Sequence, residues 1–156
     1  MSGPPSGAAV TVLVSLGTDH HRFDRLVDWV DHWVAAHPGR ARCMAQVGTS
    51  KPSATGVTHA LLSPADLAAE MAAANAVVCH GGPGTIMDAR RAGVEPIVVP
   101  RSGRLGEHVD DHQERFARWM AAHDRLVATD ETDLHRLLDR ALTTATPTGG
   151  QPEAWT

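Results

Sequence analysis

Apolar residues in this chain come in two alternating patterns. Short β-branched runs appear at Val10–Ser15, Cys43–Val47, Val57–Leu61, Ala76–Cys79, Pro96–Val99 and Leu126–Ala128. Runs of this length, rich in Val and Ile, read as buried strands. Between them the spacing turns helical: Phe23, Leu26, Val27, Val30, Trp33 and Val34 mark one face over Arg22–Ala36. A second helix is expected from Ser63 to about Ala74, with Ser63 as N-cap, Pro64 at the first position and Asp66 in the first turn. Thr85–Ala92 gives a third, ended by Gly93. His112 to about His123 gives a fourth, with Phe116, Trp119 and Met120 on one side. Thr129-Asp130 caps a last helix with Leu134, Leu137, Leu138, Ala141 and Leu142 inward. Alternating strands and helices predict an α/β fold: a Rossmann-like parallel sheet of about six strands with helices on both faces. Such sheets bind ligands beyond the carboxyl ends of their strands, where strand order reverses. Three loops should open there: Leu16–His21, His80–Gly84 and Pro100–Asp111.

The middle loop carries the strongest local signal. Ala76-Val77-Val78 leads into Cys79-His80-Gly81-Gly82-Pro83-Gly84-Thr85, and a helix leads out. Glycines let a ligand approach the backbone closely. The first N–H groups of the helix lack partners inside it. With the helix dipole they form an anion site, most often for phosphate. The first loop, Ser15-Leu16-Gly17-Thr18-Asp19-His20-His21, holds one glycine and so lacks the G-x-G-x-x-G of dinucleotide binders. Gly17 could approach a phosphate or turn the chain. Asp88 could accept ribose hydroxyls or compensate the helix dipole. Glu107-His108-Val109-Asp110-Asp111-His112-Gln113 offers polar groups to a sugar, or a plain N-cap in Asp110 or Asp111. Nothing in the sequence orients His20 or His21 as a base.

Composition narrows the classes. One domain is expected in 156 residues, Val10 to Ala145, with flexible tails at 1–9 and 146–156. A net charge of −4 leaves no basic footprint, which argues against nucleic acid. No apolar run reaches the roughly 20 residues of a membrane span, and the N-terminus lacks the pattern of a secretion signal. Cys43 and Cys79 fall in strands and read as buried free thiols of a cytoplasmic protein. No spaced His/Cys set supports a metal site.

Taken together, the motifs resemble the C-terminal domain of family 28 glycosyltransferases, in its short single-domain type. The matching stretches are Val14–Thr18 with Phe23-Asp24, Val78–Thr85, Gly93–Arg101 and Gly106–Gln113. The resemblance implies one half of a GT-B fold that binds a UDP-sugar, UDP-N-acetylglucosamine or another UDP-hexose. It implies a diphosphate site at Gly81, Gly82, Gly84 and Thr85, with Gly17 and Thr18 on the facing loop. His80 matches the family histidine before the turn. Asp88 stands where the family usually has a ribose-binding Glu, one methylene longer. Asp111 and Gln113 match the Asp-x-Gln that contacts the donor sugar. No cofactor or metal is implied, because backbone donors can stabilise the leaving diphosphate. The acceptor and the base would come from a membrane-associated partner subunit, which would recruit this chain to the inner face of the membrane, and the chain alone would not turn over. The catalytic residues stay unassigned. Gly82-Pro83 replaces the commoner small residues. Gly82-Pro83 and Asp88 keep one alternative in play, a non-catalytic scaffold or regulatory nucleotide-binding protein; a stand-alone nucleotide-sugar enzyme is a third reading.

Overall fold

A computed structural model describes residues 9–17, 21–107, 112–122 and 126–144. Its elements are β1 (Val10–Ser15), α1 (Asp24–Ala35), β2 (Ala41–Gln46), β3 (Val57–His59), α2 (Pro64–Ala73), β4 (Ala76–His80), α3 (Pro83–Arg91), β5 (Ile97–Val99), α4 (His112–Ala122) and α5 (Glu131–Thr144), with a single 3-10 turn at Gly103–Leu105. Both expected tails lie outside the described residues, apart from Ala9.

The five strands pair in parallel in the order β3-β2-β1-β4-β5. Strand β1 is central. Val12 pairs with Cys43 on one side and with Ala76 on the other. The chain winds outward from β1 to β3, then crosses back to β4, so the order reverses between β1 and β4. All five residues of β4 are buried, as a strand covered on both faces must be.

The two faces are packed differently. On one, Val12, Val14, Val78, Ile97 and Val99 meet Phe23, Leu26, Val30 and Trp33 of the α1 region and Leu134, Leu137 and Leu138 of α5. On the other, Leu13 and Val77 meet Met71 of α2 and Ala89 of α3. Cys79 and Val98 meet Ile86 of α3 and Met120 of α4. The alternation along β1 and β4 thus sends successive side chains to opposite layers.

Local signals account for the helix ends. Ser63 Oγ accepts from Asp66 N–H at 3.1 Å, and Pro64 opens α2. Gly93 follows α3 at φ +88°, a conformation glycine reaches without a Cβ penalty.

Three expectations are corrected. The expected sixth strand is one isolated bridge, Val98 to Val127, with Val98 N–H to Leu126 O at 2.8 Å and Ala128 N–H to Val98 O at 2.9 Å. The chain leaves the edge at once because Asp130 Oδ1 accepts from Asp133 N–H at 2.8 Å and starts α5. The third strand stops at His59 rather than Leu61, since its only neighbour, β2, ends at Gln46 opposite it. Trp119 does not share the buried side of Met120. It is 56% exposed and lies parallel to Phe116 at 6.0 Å between ring centroids. The four-residue step from Phe116 and Met120 marks the inner stripe, and Trp119 falls beside it.

Candidate functional site

Strand β4 ends in the glycine turn, and that turn sits beside the end of β1, at the point where strand order reverses. Gly82 is the N-cap of α3, Pro83 its first residue, and Gly84 and Thr85 follow. Proline fits the first position because its missing N–H would be unpartnered there anyway. The first backbone bond within the helix is Ile86 N–H to Gly82 O at 3.2 Å. Among the described residues no side-chain hydrogen bond caps the helix. The N–H groups of Gly84 and Thr85 therefore face outward at the positive end of the helix. A Cβ on Gly84 would meet nothing within 4 Å. Its neighbours in the turn are crowded instead: a Cβ on Gly82 would overlap the His80 ring, and one on Gly81 would press on the Gln113 side chain.

His80 lies under the turn and is 6% exposed. Its Nε2 is 3.1 Å from Thr85 Oγ1, and its Nδ1 is 3.1 Å from Gln113 Nε2. Gly17, at φ +70°, passes directly over the ring, and a Cβ there would overlap Nε2. Glycine is needed here both for its backbone angle and for the contact with the ring. Gln113 Oε1 accepts from Gly81 N–H at 3.0 Å and from Arg101 N–H at 3.1 Å. The second residue of α4 thus links the glycine turn to the end of β5.

The head of the third loop is a knot of charge. Arg101 is 1% exposed. It donates to Leu16 O at 2.8 Å and His21 O at 2.6 Å in the first loop, and to Glu107 O at 2.8 Å in its own. Its guanidinium also lies 5.2 Å from the Phe23 ring centroid. The Glu107 carboxylate, read from sequence as part of a sugar-facing cluster, turns inward. It accepts from Arg25 through both oxygens, at 2.8 and 3.0 Å, and from Ser102 N–H at 2.9 Å. Forked pairing of this kind holds both side chains in one geometry.

The structure thus brings Gly17, His80, Gly81, Gly82, Thr85 and Gln113 into one contact set, with Gly84 at its outer rim. Asp88 stands apart, farther along the exposed side of α3. Its carboxylate is 3.7 Å from Arg91, and it lines a shallow cavity of about 180 Å³ with Pro64, Leu67 and Ala68 of α2. Thr18, Asp111 and His20 lie outside the described residues. Arg25 and Arg101 had no assigned role in the sequence reading. The available signal was Arg101 directly after the apolar run Ile97–Pro100, where a strand-end residue faces the site edge.

Cys79 precedes His80 but is no nucleophile. Burial pushes its thiol up to about 12, and that of Cys43 likewise, so neither forms the reactive thiolate near neutral pH. Among the described residues, no cluster of His, Cys, Asp or Glu could hold a metal ion, and no helix is long and apolar enough to cross a membrane.

Known proteins share this architecture. A glycosyltransferase of kitacinnamycin aligns over 97% of this chain and 39% of its own, with TM-score 0.63 and 18% identity. The glycosyltransferase SnogD from Streptomyces nogalater aligns over 97% and 44%, with TM-score 0.53 and 17% identity. At such identities the likeness shows the fold: a Rossmann-like half of a GT-B structure. Among curated sequences, the UDP-N-acetylglucosamine transferase subunit ALG13 of Yarrowia lipolytica is 37% identical over 68 residues, which are 44% of this chain and 33% of that one. The UDP-N-acetylglucosamine--N-acetylmuramyl-(pentapeptide) pyrophosphoryl-undecaprenol N-acetylglucosamine transferase of Verminephrobacter eiseniae is 40% identical over 55 residues, 35% of this chain and 14% of that one. The match to these relatives spans a third or less of their length. The model of the glycosyltransferase family 28 C-terminal domain matches residues 12–149, nearly the whole sheet and all five helices, and the chain belongs to that family.

Proposed function

We propose that this chain is the donor half of a glycosyltransferase. It holds a UDP-sugar and works with a partner subunit that holds the acceptor and supplies the base. The observation that carries the reading is the open start of α3. In a chain of this family, the N–H groups of Gly84 and Thr85 stand free of backbone and side-chain partners among the described residues, at the strand-order reversal, with no Cβ at Gly84 to block approach. A diphosphate would be held there by backbone donors and the helix dipole, with no metal required. As a sugar leaves UDP, charge grows on the β-phosphate, and preorganised N–H donors stabilise that charge more than they stabilise the ground state.

The rest of the donor follows from placement. Asp88 lies roughly 7 Å along the helix from Pro83, at 1.5 Å per residue, within reach of a ribose attached to the diphosphate. Asp111 would lie toward the sugar, with Gln113 behind the glycine turn. The names of the relatives favour UDP-N-acetylglucosamine. The two-component arrangement draws on the likeness to the Yarrowia protein, which is itself named as a subunit. A membrane-associated partner would bring the chain to its lipid-linked or polysaccharide acceptor.

Titration by thermal shift tests the reading. A ligand at 100 times its Kd adds about 2.7 kcal/mol, which for a chain of this size is a rise of roughly 5–10 °C. UDP or UDP-N-acetylglucosamine should give that rise, and turnover should appear only when the partner is added. A response to GDP or NAD with none to uridine nucleotides would refute the donor assignment.

A further inference from the structure

Gln113 is 5% exposed, and the hydrogen bonds of its carboxamide carry more information than their lengths. Two backbone N–H groups, those of Gly81 and Arg101, meet on one of its terminal atoms at 3.0 and 3.1 Å. A backbone N–H only donates, so that atom is the oxygen, and both of its lone pairs are engaged. The amide NH2 is therefore the group that faces His80 Nδ1 at 3.1 Å. An NH2 also only donates, so Nδ1 is the unprotonated nitrogen of the ring. The neutral imidazole then carries its hydrogen on Nε2, which lies 3.1 Å from Thr85 Oγ1. Thr85 accepts that hydrogen, and its own hydroxyl hydrogen must turn to another acceptor.

We propose that Gln113 is a positioning residue which, through the tautomer of His80, makes the Thr85 hydroxyl a donor aimed at the anion bound on the start of α3. The resemblance implies that Gln113 contacts the donor sugar. The geometry gives its oxygen to the backbone and its amide to His80, so its effect on the donor runs through the ring. The chain of bonds has one direction: backbone N–H to Gln113, Gln113 to His80, His80 to Thr85, Thr85 to ligand. The first three links follow from the backbone donors, which cannot reverse, and the last is the proposal. The bond to the ligand rests on the donor-site reading above; the tautomer does not.

The experiment is 15N NMR of the whole chain with labelled histidine at neutral pH, the His80 signals being assigned by their loss in His80→Asn. Wild-type protein should show the hydrogen on Nε2 and a bare Nδ1. In Gln113→Glu the carboxylate can keep both backbone donors but can only accept, so a hydrogen should appear on Nδ1. Thr85→Val, which keeps the shape and drops the hydroxyl, should weaken UDP binding about five- to tenfold, and Thr85→Ser should restore it. A hydrogen on Nδ1 in the wild type overturns the inference, and this outcome does not depend on any variant folding. So does a ring pattern unchanged by Gln113→Glu, or full UDP affinity in Thr85→Val. A wild-type chain that binds no uridine nucleotide instead defeats the donor reading, while the ring nitrogens still decide the direction of the bonds.

Discussion

The glycine turn and the head of the third loop share one sheet edge but are built in opposite ways. At the turn the backbone is bare: Gly84 has open space where a side chain would be, and the first donors of α3 point outward. At the head of the third loop the strong polar groups are already paired with one another. Arg101 satisfies three carbonyls, and Glu107 accepts from Arg25 twice and from Ser102. Both contain strong hydrogen-bonding groups, so polarity does not separate them. What separates them is whether the partners are already present. Preorganised donors help a bound anion only if the surrounding loops do not move when it arrives. The bonds of Arg101 and Glu107 to the first loop and α1 supply that rigidity, and the turn keeps its capacity unspent.

The largest effect should come from cutting the knot. Arg101→Met keeps much of the side-chain volume and removes the guanidinium. The carbonyls of Leu16 and Glu107 would then be buried, and that of His21 half-buried, without that donor, and a buried group left unmet costs about 1–3 kcal/mol. Partial rescue by water limits the sum, and we expect a loss of roughly 3 kcal/mol, or about 6–12 °C in Tm. Thermal unfolding of the variant measures it. A shift under 2 °C would mean that the three contacts do not hold the loops together, and the contrast with the turn would collapse.

Gly17→Ala should come next. The alanine must take φ near +70°, at a cost of about 1–2 kcal/mol, and its methyl would collide with the His80 ring. Since the ring is itself held by Gln113 and Thr85, it cannot step aside without breaking those bonds. The expected result is a loss of about 2 kcal/mol in stability, read by chemical denaturation, together with impaired nucleotide binding. Retention of both would show that the first loop is free to move off the ring.

This contrast explains how far the sequence could be read. Strands β1 and β4, the Ser63-Pro64 start of α2 and the glycine turn are encoded within a few residues each, so pattern and local chemistry sufficed. The buried role of Arg101 is not local. Its acceptors Leu16 and His21 lie 85 and 80 residues away in the chain, and a charged residue after an apolar run ordinarily marks a solvent edge. The bonds of Gln113 to Gly81 and Arg101 are likewise not local, lying 32 and 12 residues away in the chain. The sixth strand failed on a different ground, because Leu126–Ala128 has the right residues but the helix cap at Asp130 ends the pairing after one bridge.

The smallest effect on stability, and the sharpest test of the comparison, is expected from Gly84→Ala. The site lacks positive φ and offers a new methyl no contact within 4 Å, so nothing in the fold resists the change. Alanine is also the better helix former by up to about 1 kcal/mol in a helix interior, and less in the first turn. Stability should therefore hold or rise by a few tenths of a kcal/mol. Binding should move the other way. The methyl would stand beside the N–H groups of Gly84 and Thr85, where a phosphate oxygen must come within about 3 Å. A loss of one such charge-assisted contact is worth roughly 1.5–3 kcal/mol, or about ten- to a hundredfold in Kd for UDP by calorimetry. A variant that is as stable as the wild type and binds poorly would show that the bare backbone at the turn serves the ligand rather than the fold. A variant that binds UDP as well as the wild type would place the diphosphate elsewhere on the edge and leave Gly84 a turn residue only.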